Sequence, residues 1–132
     1  MAAAENYPDE LRYHREHDWA RVEDGEATFG ITWFAQDALG ELVHFEAPDE
    51  GQAVTKDQAY AEVESVKAVS DVIAPLSGEI IEVNRDVIDA PETVNEDPYG
   101  EGWLVRVRLD DPAQAQELLD AEAYRHLLAE EA

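Results

Sequence analysis

The sequence predicts a mainly β domain, either a sandwich or a barrel, followed by a helical C-terminal segment. Between residues 11 and 109, apolar and polar residues alternate in short runs separated by turn residues, which is the pattern of half-buried strands. After residue 110 the leucines change to helical spacing. The chain has 132 residues, of which 45% are hydrophobic, enough for one domain with its own core.

The first predicted elements are a disordered leader and a β-hairpin. Residues 1–10 are mostly small or polar, so we expect them to be disordered. Asp24-Gly25 between two apolar runs is a strong hairpin signal. We therefore expect strands at 11–13, 19–22 and 27–31.

A short internal helix is predicted next. Thr32 is a good N-cap for a helix over residues 33–39, and Gly40 is a good C-terminal stop. Further strands are then expected at 42–47, 59–64, 69–74, 79–83 and 103–109. The domain is predicted to span residues 11–109.

Two segments outside the strands are also distinctive. Residues 84–102 are predicted to form a long irregular loop, and loops of that length are usually functional. Residues 110–132 are predicted to form a helical appendage packed on the domain. Its first helix is expected to begin at Asp111-Pro112, and a second one after Asp120.

Charge and composition exclude several classes of function. Nine Lys and Arg against 32 Asp and Glu give a net charge of −23, which repels nucleic acid and anionic membranes. No apolar run approaches the roughly 18 residues that cross a bilayer. The lack of cysteine removes disulfides, thiolate catalysis and cysteine-bound metal centres. With no signal or transit peptide in the sequence, we expect a cytoplasmic monomer that attracts basic protein partners.

Lys67 is the most informative single residue, because it is one of only two lysines in the chain. It lies between two predicted strands, in a turn without the Gly, Asn or Pro that tight turns usually contain. The nearby acids Glu62, Glu64 and Asp71 stabilise its ammonium form, so it is poorly suited to be a self-activated nucleophile. A lysine at a hairpin tip is instead suited to modification by another enzyme. The alternative is a solvated turn lysine without a role.

Several stretches resemble the H-protein family of the glycine cleavage system. Residues 64–68, Glu-Ser-Val-Lys-Ala, resemble the turn to which that family attaches lipoic acid. The other matching stretches follow in the family's order, at residues 13–19, 30–40, 75–79 and 94–103. The resemblance extends from about Tyr13 to the C-terminus.

This resemblance implies both a fold and a cofactor. The fold would be a flattened barrel-sandwich hybrid of the lipoyl and biotinyl type, with a short internal helix and C-terminal helices. Lipoic acid would be joined to Lys67 through an amide bond. Glu64 and Gly78 occupy positions that the family uses for recognition by the lipoylating enzyme. The protein would be a carrier in glycine catabolism, without an active site of its own.

The resemblance also implies a swinging-arm mechanism and a set of partners. The arm would accept the aminomethyl group of glycine from a pyridoxal-phosphate glycine decarboxylase. A tetrahydrofolate-dependent aminomethyltransferase would then remove this group, and a dihydrolipoyl dehydrogenase would reoxidise the arm. A groove sheltering the labile adduct is expected, with the 33–39 helix and the 84–102 loop as candidates.

One departure from the family concerns the turn at Lys56-Asp57, where the family often has Lys-Gly. Aspartate adopts the left-handed conformation less readily than glycine. The shape of this turn is therefore expected to differ.

Three alternative functions stay open. An H-like relay protein that passes lipoate to other enzymes would use the same lysine. A biotin carrier usually has methionine on both sides of its lysine, whereas Val66 and Ala68 flank Lys67 here. A small acid-rich hydrolase would need a pocket that the sequence does not reveal.

Other chemically interesting residues have simpler interpretations. His14 and His17 could suggest a metal site, but side chains three apart on an extended segment do not converge. Acids at residues 86, 89 and 92 lack the spacing of a calcium loop. We therefore predict no metal site. The three tryptophans are expected to anchor the core: Trp19, Trp33 and Trp103.

Overall fold

The computed structural model describes residues 3–131, so the predictions for residues 1, 2 and 132 lie outside the described residues. The strands are β1 (Arg12–His14), β2 (Asp18–Glu23), β3 (Glu26–Ile31), β4 (Leu42–Glu46), β5 (Ala53–Val54), β6 (Ala59–Ser65), β7 (Val69–Ile73), β8 (Gly78–Val83) and β9 (Val105–Leu109). The helices are α1 (Trp33–Leu39), α2 (Arg85–Asp89), α3 (Thr93–Glu96), a 3₁₀ helix (Pro112–Glu117) and α4 (Ala121–Glu131).

The strands form two antiparallel sheets. The larger sheet has the order β1-β2-β3-β9-β8-β5, and the smaller one has the order β4-β6-β7. Apolar side chains from both sheets, such as Phe29, Phe45 and Val107, pack into one main core. Within residues 3–131 the two sheets stay separate and do not close into a barrel. The predicted mainly β fold is confirmed.

Local sequence signals correctly predict the first hairpin and the internal helix. Asp24 and Gly25 both have positive φ, 51° and 80°, as a tight two-residue hairpin turn requires. The Thr32 hydroxyl accepts a hydrogen bond from the Ala35 amide and caps α1. Gly40 ends the helix with φ at 86°.

The prediction of a long irregular loop over residues 84–102 is wrong, because this segment contains α2 and α3. Asn84 caps α2 by accepting from the Asp86 amide, and its own amide group donates to the carbonyls of Glu101 and Trp103. Helices of five and four residues are too short to show a helical period. These two helices form because caps and tertiary contacts stabilise them.

The C-terminal helices follow the predicted caps, and α4 packs into a second core that includes Leu11, Tyr13, Trp19 and Tyr124. The Asp111 side chain accepts from the Ala113 amide, and Asp120 accepts from the Ala123 amide at the start of α4. Tyr124 of α4 stacks on Tyr13 of β1, with ring centroids 4.7 Å apart and planes inclined by 6°. This stack fixes α4 against the edge of the larger sheet.

Residues 3–10 form neither helix nor strand, but they contact the second core. Tyr7 is buried beside Tyr124, with ring centroids 5.4 Å apart. The Ala3 carbonyl accepts a hydrogen bond from the indole of Trp33. The polar composition of this segment gave no signal for these contacts, because they depend on residues far along the chain.

The tryptophans differ in how deeply they are buried. Trp19 is fully buried, and its ring lies so close to Gly30 that a β-carbon there would be 2.5 Å from it. Trp33 and Trp103 are only partly buried and pack against the second core. None of the helices within residues 3–131 has the length and apolar character needed to span a bilayer.

The turn at Lys56-Asp57 shows how this chain tolerates a residue other than glycine. Asp57 adopts a left-handed conformation, with φ at 75°. Its carboxylate lies 2.6 Å from His14 Nε2, and this contact lowers the pKa of Asp57. His14 Nδ1 accepts from the Glu16 amide, so in a neutral ring Nε2 carries the proton that is donated to Asp57. The histidine therefore offsets the conformational cost of the aspartate.

We predict that Asp57→Ala destabilises the protein by about 1–3 kcal/mol. Alanine loses the bond to His14 and keeps the strained φ. Asp57→Gly should lose less, because glycine adopts this φ freely. Chemical denaturation at neutral pH measures both variants, and equal stability of the alanine and glycine variants would contradict the strain argument.

Candidate functional site

Lys67 lies at the tip of the hairpin formed by β6 and β7. The two strands are antiparallel, with Glu64 opposite Val69 as the last pair of the ladder. Beyond this pair the Ser65 amide donates to the Ala68 carbonyl at 2.8 Å. Val66 and Lys67 are therefore the two residues at the turn itself.

The Ser65 hydroxyl closes this turn. It accepts hydrogen bonds from the amides of Lys67 and Ala68 at 3.3 and 3.1 Å. Ser65 is itself buried, and none of the turn residues 65–68 has positive φ. A side-chain hydroxyl thus replaces the Gly, Asn or Pro that the sequence lacks here. Ser65 was missed as a positioning residue, although a serine at the end of a strand is a known turn signal.

The amine of Lys67 is presented to solvent. Its side chain is exposed, and within residues 3–131 it makes neither a hydrogen bond nor an ion pair through Nζ. The other lysine, Lys56, is different: its amine lies 3.4 Å from Asp57 and 3.6 Å from Glu117. Of the two lysines, Lys67 is the one that another enzyme can reach and modify.

The stem of Lys67 runs toward the C-terminal end of α1. A methyl group placed on Gly40 would lie 3.8 Å from Lys67 Cε. Asn95 of α3 holds this end of α1, because its amide group donates to the Gly40 carbonyl and to Gln36 Oε1. Its oxygen accepts from the Leu42 amide. One asparagine therefore fixes the helix cap, α3 and the start of β4 relative to one another.

A groove of about 380 Å³ lies between α1 and α3 beside Gly40. The residues that line it are mostly acids and amides: Gln36, Asp37, Gly40, Glu41, Glu92, Asn95 and Glu96. The two segments that the sequence predicted as groove candidates, 33–39 and 84–102, thus meet at one place near Lys67.

The outer face of the smaller sheet is acidic. Glu46, Glu62 and Asp71 lie side by side across β4, β6 and β7. In the neighbouring row, Glu64 lies between His44 and Val69 and is exposed. Like charges opposite one another in a sheet are destabilising. This face of the protein therefore carries a dense negative charge next to Lys67.

Gly78 lies elsewhere in the molecule. It is the first residue of β8 in the larger sheet. The chain reaches it after the Ile73 end of β7, which is the end farther from Lys67. A β-carbon at Gly78 would be 2.2 Å from the Arg108 carbonyl oxygen. Glycine is therefore required here by the close approach of two strands.

Asp18 is the most unusual ionisable residue. It is 2% exposed, and burial raises its pKa well above the ordinary value of 3.8. One oxygen accepts from the Ile73 amide, whereas the other has no partner within residues 3–131. The Tyr60 hydroxyl is also buried without a partner there. No local pattern in the sequence indicates this buried acid.

The two histidines considered as metal ligands have separate contacts. His14 contacts Asp57, whereas His17 Nδ1 lies 2.7 Å from the Tyr124 hydroxyl. The Tyr124 hydroxyl also contacts Thr32, so His17 supports the junction of α1 and α4. Within residues 3–131, no three His, Asp or Glu side chains are arranged to hold a metal ion.

Comparison with known proteins gives a consistent result. The model of the family described as Glycine cleavage H-protein matches residues 11–131. A glycine cleavage system H protein from Alkalilimnicola ehrlichii is 52% identical over 125 residues, 94% of this chain and 96% of the relative. One from Anaeromyxobacter sp. (strain K) is 49% identical over 124 residues, 94% of this chain and 97% of the relative.

A solved structure agrees with these matches. The crystal structure of a glycine cleavage system H protein from Mycobacterium marinum superposes with a TM-score of 0.87 at 40% identity. The alignment covers 93% of this chain and 99% of the other.

We predict that Ser65→Ala lowers the free energy of unfolding by about 0.5–1.5 kcal/mol. Loss of the hydroxyl leaves the amides of Lys67 and Ala68 without their acceptor, so hydrogen exchange at these two amides should accelerate. Ser65→Thr keeps a hydroxyl and is the matched control. Unchanged exchange in the alanine variant would show that Ser65 does not order the turn.

We predict that Asp18→Asn stabilises the protein at neutral pH by about 1–3 kcal/mol. The folded state holds the Asp18 proton to higher pH than the unfolded state does. Asp18 therefore costs no stability well below pH 3.8. Its cost grows as the pH rises above the unfolded-state pKa, and it levels off once the pH exceeds the raised folded-state pKa.

Thermal unfolding at a series of pH values tests this prediction for Asp18. The variant and the native protein should unfold at similar temperatures in acid and diverge toward pH 7. Asp110→Asn, at an exposed position, is the control and should show no such divergence. A variant that is less stable than the native protein at pH 7 would contradict the account.

Proposed function

Because the chain belongs to the glycine cleavage H-protein family and is a lipoyl-carrying protein of the glycine cleavage system, we propose that Lys67 carries the lipoyl group. The family is one of carrier proteins. The observation that supports Lys67 most directly is its exposed, unpaired amine at the tip of a hairpin closed by Ser65. Lys56 is a poorer candidate because its amine is held by two carboxylates.

Lipoylation would convert a rigid hairpin into the base of a flexible arm. When bound, the lipoyl group supplies a disulfide that can accept and release the aminomethyl group. The hairpin keeps the point of attachment fixed while the arm moves, so the reactive end stays at a high local concentration near docked partners. The chain contributes the anchor and the docking surface for this transfer.

We propose that the loaded arm is sheltered along the C-terminal end of α1. The Lys67 stem already points to Gly40, and Asn95 holds that end of the helix in place. The carboxyl groups of Asp37 and Glu41 in the adjacent groove suit the positive charge of an aminomethyl group. The sheltering groove would therefore be the one between α1 and α3, beside Gly40.

Glu64 and Gly78 would support lipoylation in different ways. Glu64 is exposed next to the turn, so the lipoylating enzyme can contact it directly. Gly78 is buried between strands at a distance from the turn, so we propose that it acts by maintaining the sheet. A side chain at residue 78 would impair lipoylation through misfolding.

The proposed partners are those of the family reaction. They are a pyridoxal-phosphate glycine decarboxylase, a tetrahydrofolate-dependent aminomethyltransferase, a dihydrolipoyl dehydrogenase and a lipoylating enzyme. The acidic outer face of the smaller sheet supports partners with basic docking surfaces.

The proposal for Lys67 is tested by intact-mass analysis of the protein expressed in cells that make lipoate. The native chain should gain the mass of one lipoyl group, and Lys67→Arg should lose the entire gain because arginine cannot form this amide. Lys56→Arg is the matched control and should keep the modification.

Two outcomes would contradict this assignment. Modification that persists in Lys67→Arg and disappears in Lys56→Arg would move the attachment to the other lysine. A mass gain equal to biotin would identify a different carrier class. Glycine-dependent exchange of CO₂, reconstituted with the decarboxylase, then separates glycine cleavage from a role only in relaying lipoate.

A further inference from the structure

The turn that carries Lys67 is surrounded by exposed apolar side chains. Within residues 3–131, four large apolar residues are markedly exposed: Val43, Val66, Val69 and Ile88. Three of them lie beside Lys67, and we name Val43, Val66 and Val69 the valine collar. Their exposed fractions are 51%, 82% and 61%.

The strand register brings the collar together. Val66 precedes Lys67 in the turn, and Val69 opens β7 directly after it. Val43 lies at the irregularity in β4 between Leu42 and His44, which pair with Ser65 and Glu64 of β6. The backbone of Val43 is therefore one strand spacing, roughly 5 Å, from the base of the turn.

The collar needs an explanation because the rest of the surface is so polar. The chain has a net charge of −23. On such a surface, several exposed apolar side chains near one turn indicate a contact site better than they indicate chance exposure. The irregularity in β4 leaves both Val43 and His44 exposed, so this site is built into the sheet. Glu64 of β6 lies within the collar, between β4 and Val69. Four further acids on or next to these strands are exposed: Glu41, Glu46, Glu62 and Asp71.

We propose that the valine collar is the docking site for the enzyme that attaches the lipoyl group, and that this enzyme presents an apolar surface bordered by Lys and Arg. This inference rests on the proposed role of Lys67. Apolar contacts at the centre and charge complementarity at the rim are the usual composition of a specific interface.

The attaching enzyme differs from the other partners in how closely it must approach the backbone next to Lys67. Attachment forms an amide bond between Lys67 Nζ and the carboxyl carbon of lipoate, which ATP has activated as an acyl adenylate. AMP leaves and the nitrogen loses a proton. The enzyme must bring this bare amine to its own reacting atoms, so it has to contact the residues next to the turn. Enzymes that act on the end of the finished arm can dock farther away.

The experiment measures lipoylation of the unmodified chain by a lipoate–protein ligase supplied with ATP and lipoate. The variant Val43→Thr/Val66→Thr/Val69→Thr keeps the shape of the side chains and makes the collar polar. Its kcat/KM should fall at least about tenfold through a higher KM, with kcat at saturating carrier little changed. Ile88→Thr, the exposed apolar residue outside the collar, is the matched control and should react like the native chain.

Salt tests the charged rim. In the native chain kcat/KM should fall as the salt concentration rises, because screening weakens attraction to a basic partner. The triple variant should keep this salt dependence, since its acids are unchanged. Circular dichroism and the unfolding temperature establish that the variants are folded.

Different results would contradict the docking site and the attachment at Lys67. If the native chain is modified on Lys67 and the folded triple variant reacts with the same kcat/KM, the collar is not the docking site. A rate that does not depend on salt would overturn the basic character of the partner. If the ligase does not modify Lys67 in the native chain, the proposed attachment itself fails.

Discussion

The site depends on a hairpin that stays ordered while its tip remains free. For the attachment proposed at Lys67, the amine must be in solvent while the backbone beneath it stays fixed. Ser65 meets both requirements, because its buried hydroxyl accepts hydrogen bonds from the amides of Lys67 and Ala68. The hydrogen bonds that close the turn therefore come from Ser65, and the Lys67 side chain takes no part in them.

The distribution of charge also follows from this requirement. Arg106 contacts Glu26 and Glu82 at 2.7 and 2.8 Å, and its pKa is raised by these carboxylates. Lys56 is likewise held by carboxylates. With so few cations among 32 acids, an unpaired Lys67 requires that the local strands keep the acids out of reach of its amine. A strong net charge opposes compaction, and the two cores have to offset that repulsion.

Distant segments of the chain meet beside the stem of Lys67. Asn95 of α3 bonds to the Gly40 carbonyl, to Gln36 and to the Leu42 amide. At the opposite end of α1, Thr32 contacts Tyr124 of α4, which stacks on Tyr13. The short helix α1 is therefore held at both ends by side chains from elsewhere in the fold. This rigidity explains how a helix of seven residues can form one wall of a site.

Sequence patterns alone predict four features: the mainly β class, the hairpin at Asp24-Gly25, the capped helix α1 and Lys67 as the candidate residue. These features depend on residues close together in the chain, whose preferences act locally. The folded structure was needed to show that α2 and α3 form, that Asp18 is buried and that Asn95 bonds to three distant residues. It also showed that Asp57 keeps a left-handed turn because His14 contacts it. Each of these depends on partners distant in sequence, which no local pattern encodes.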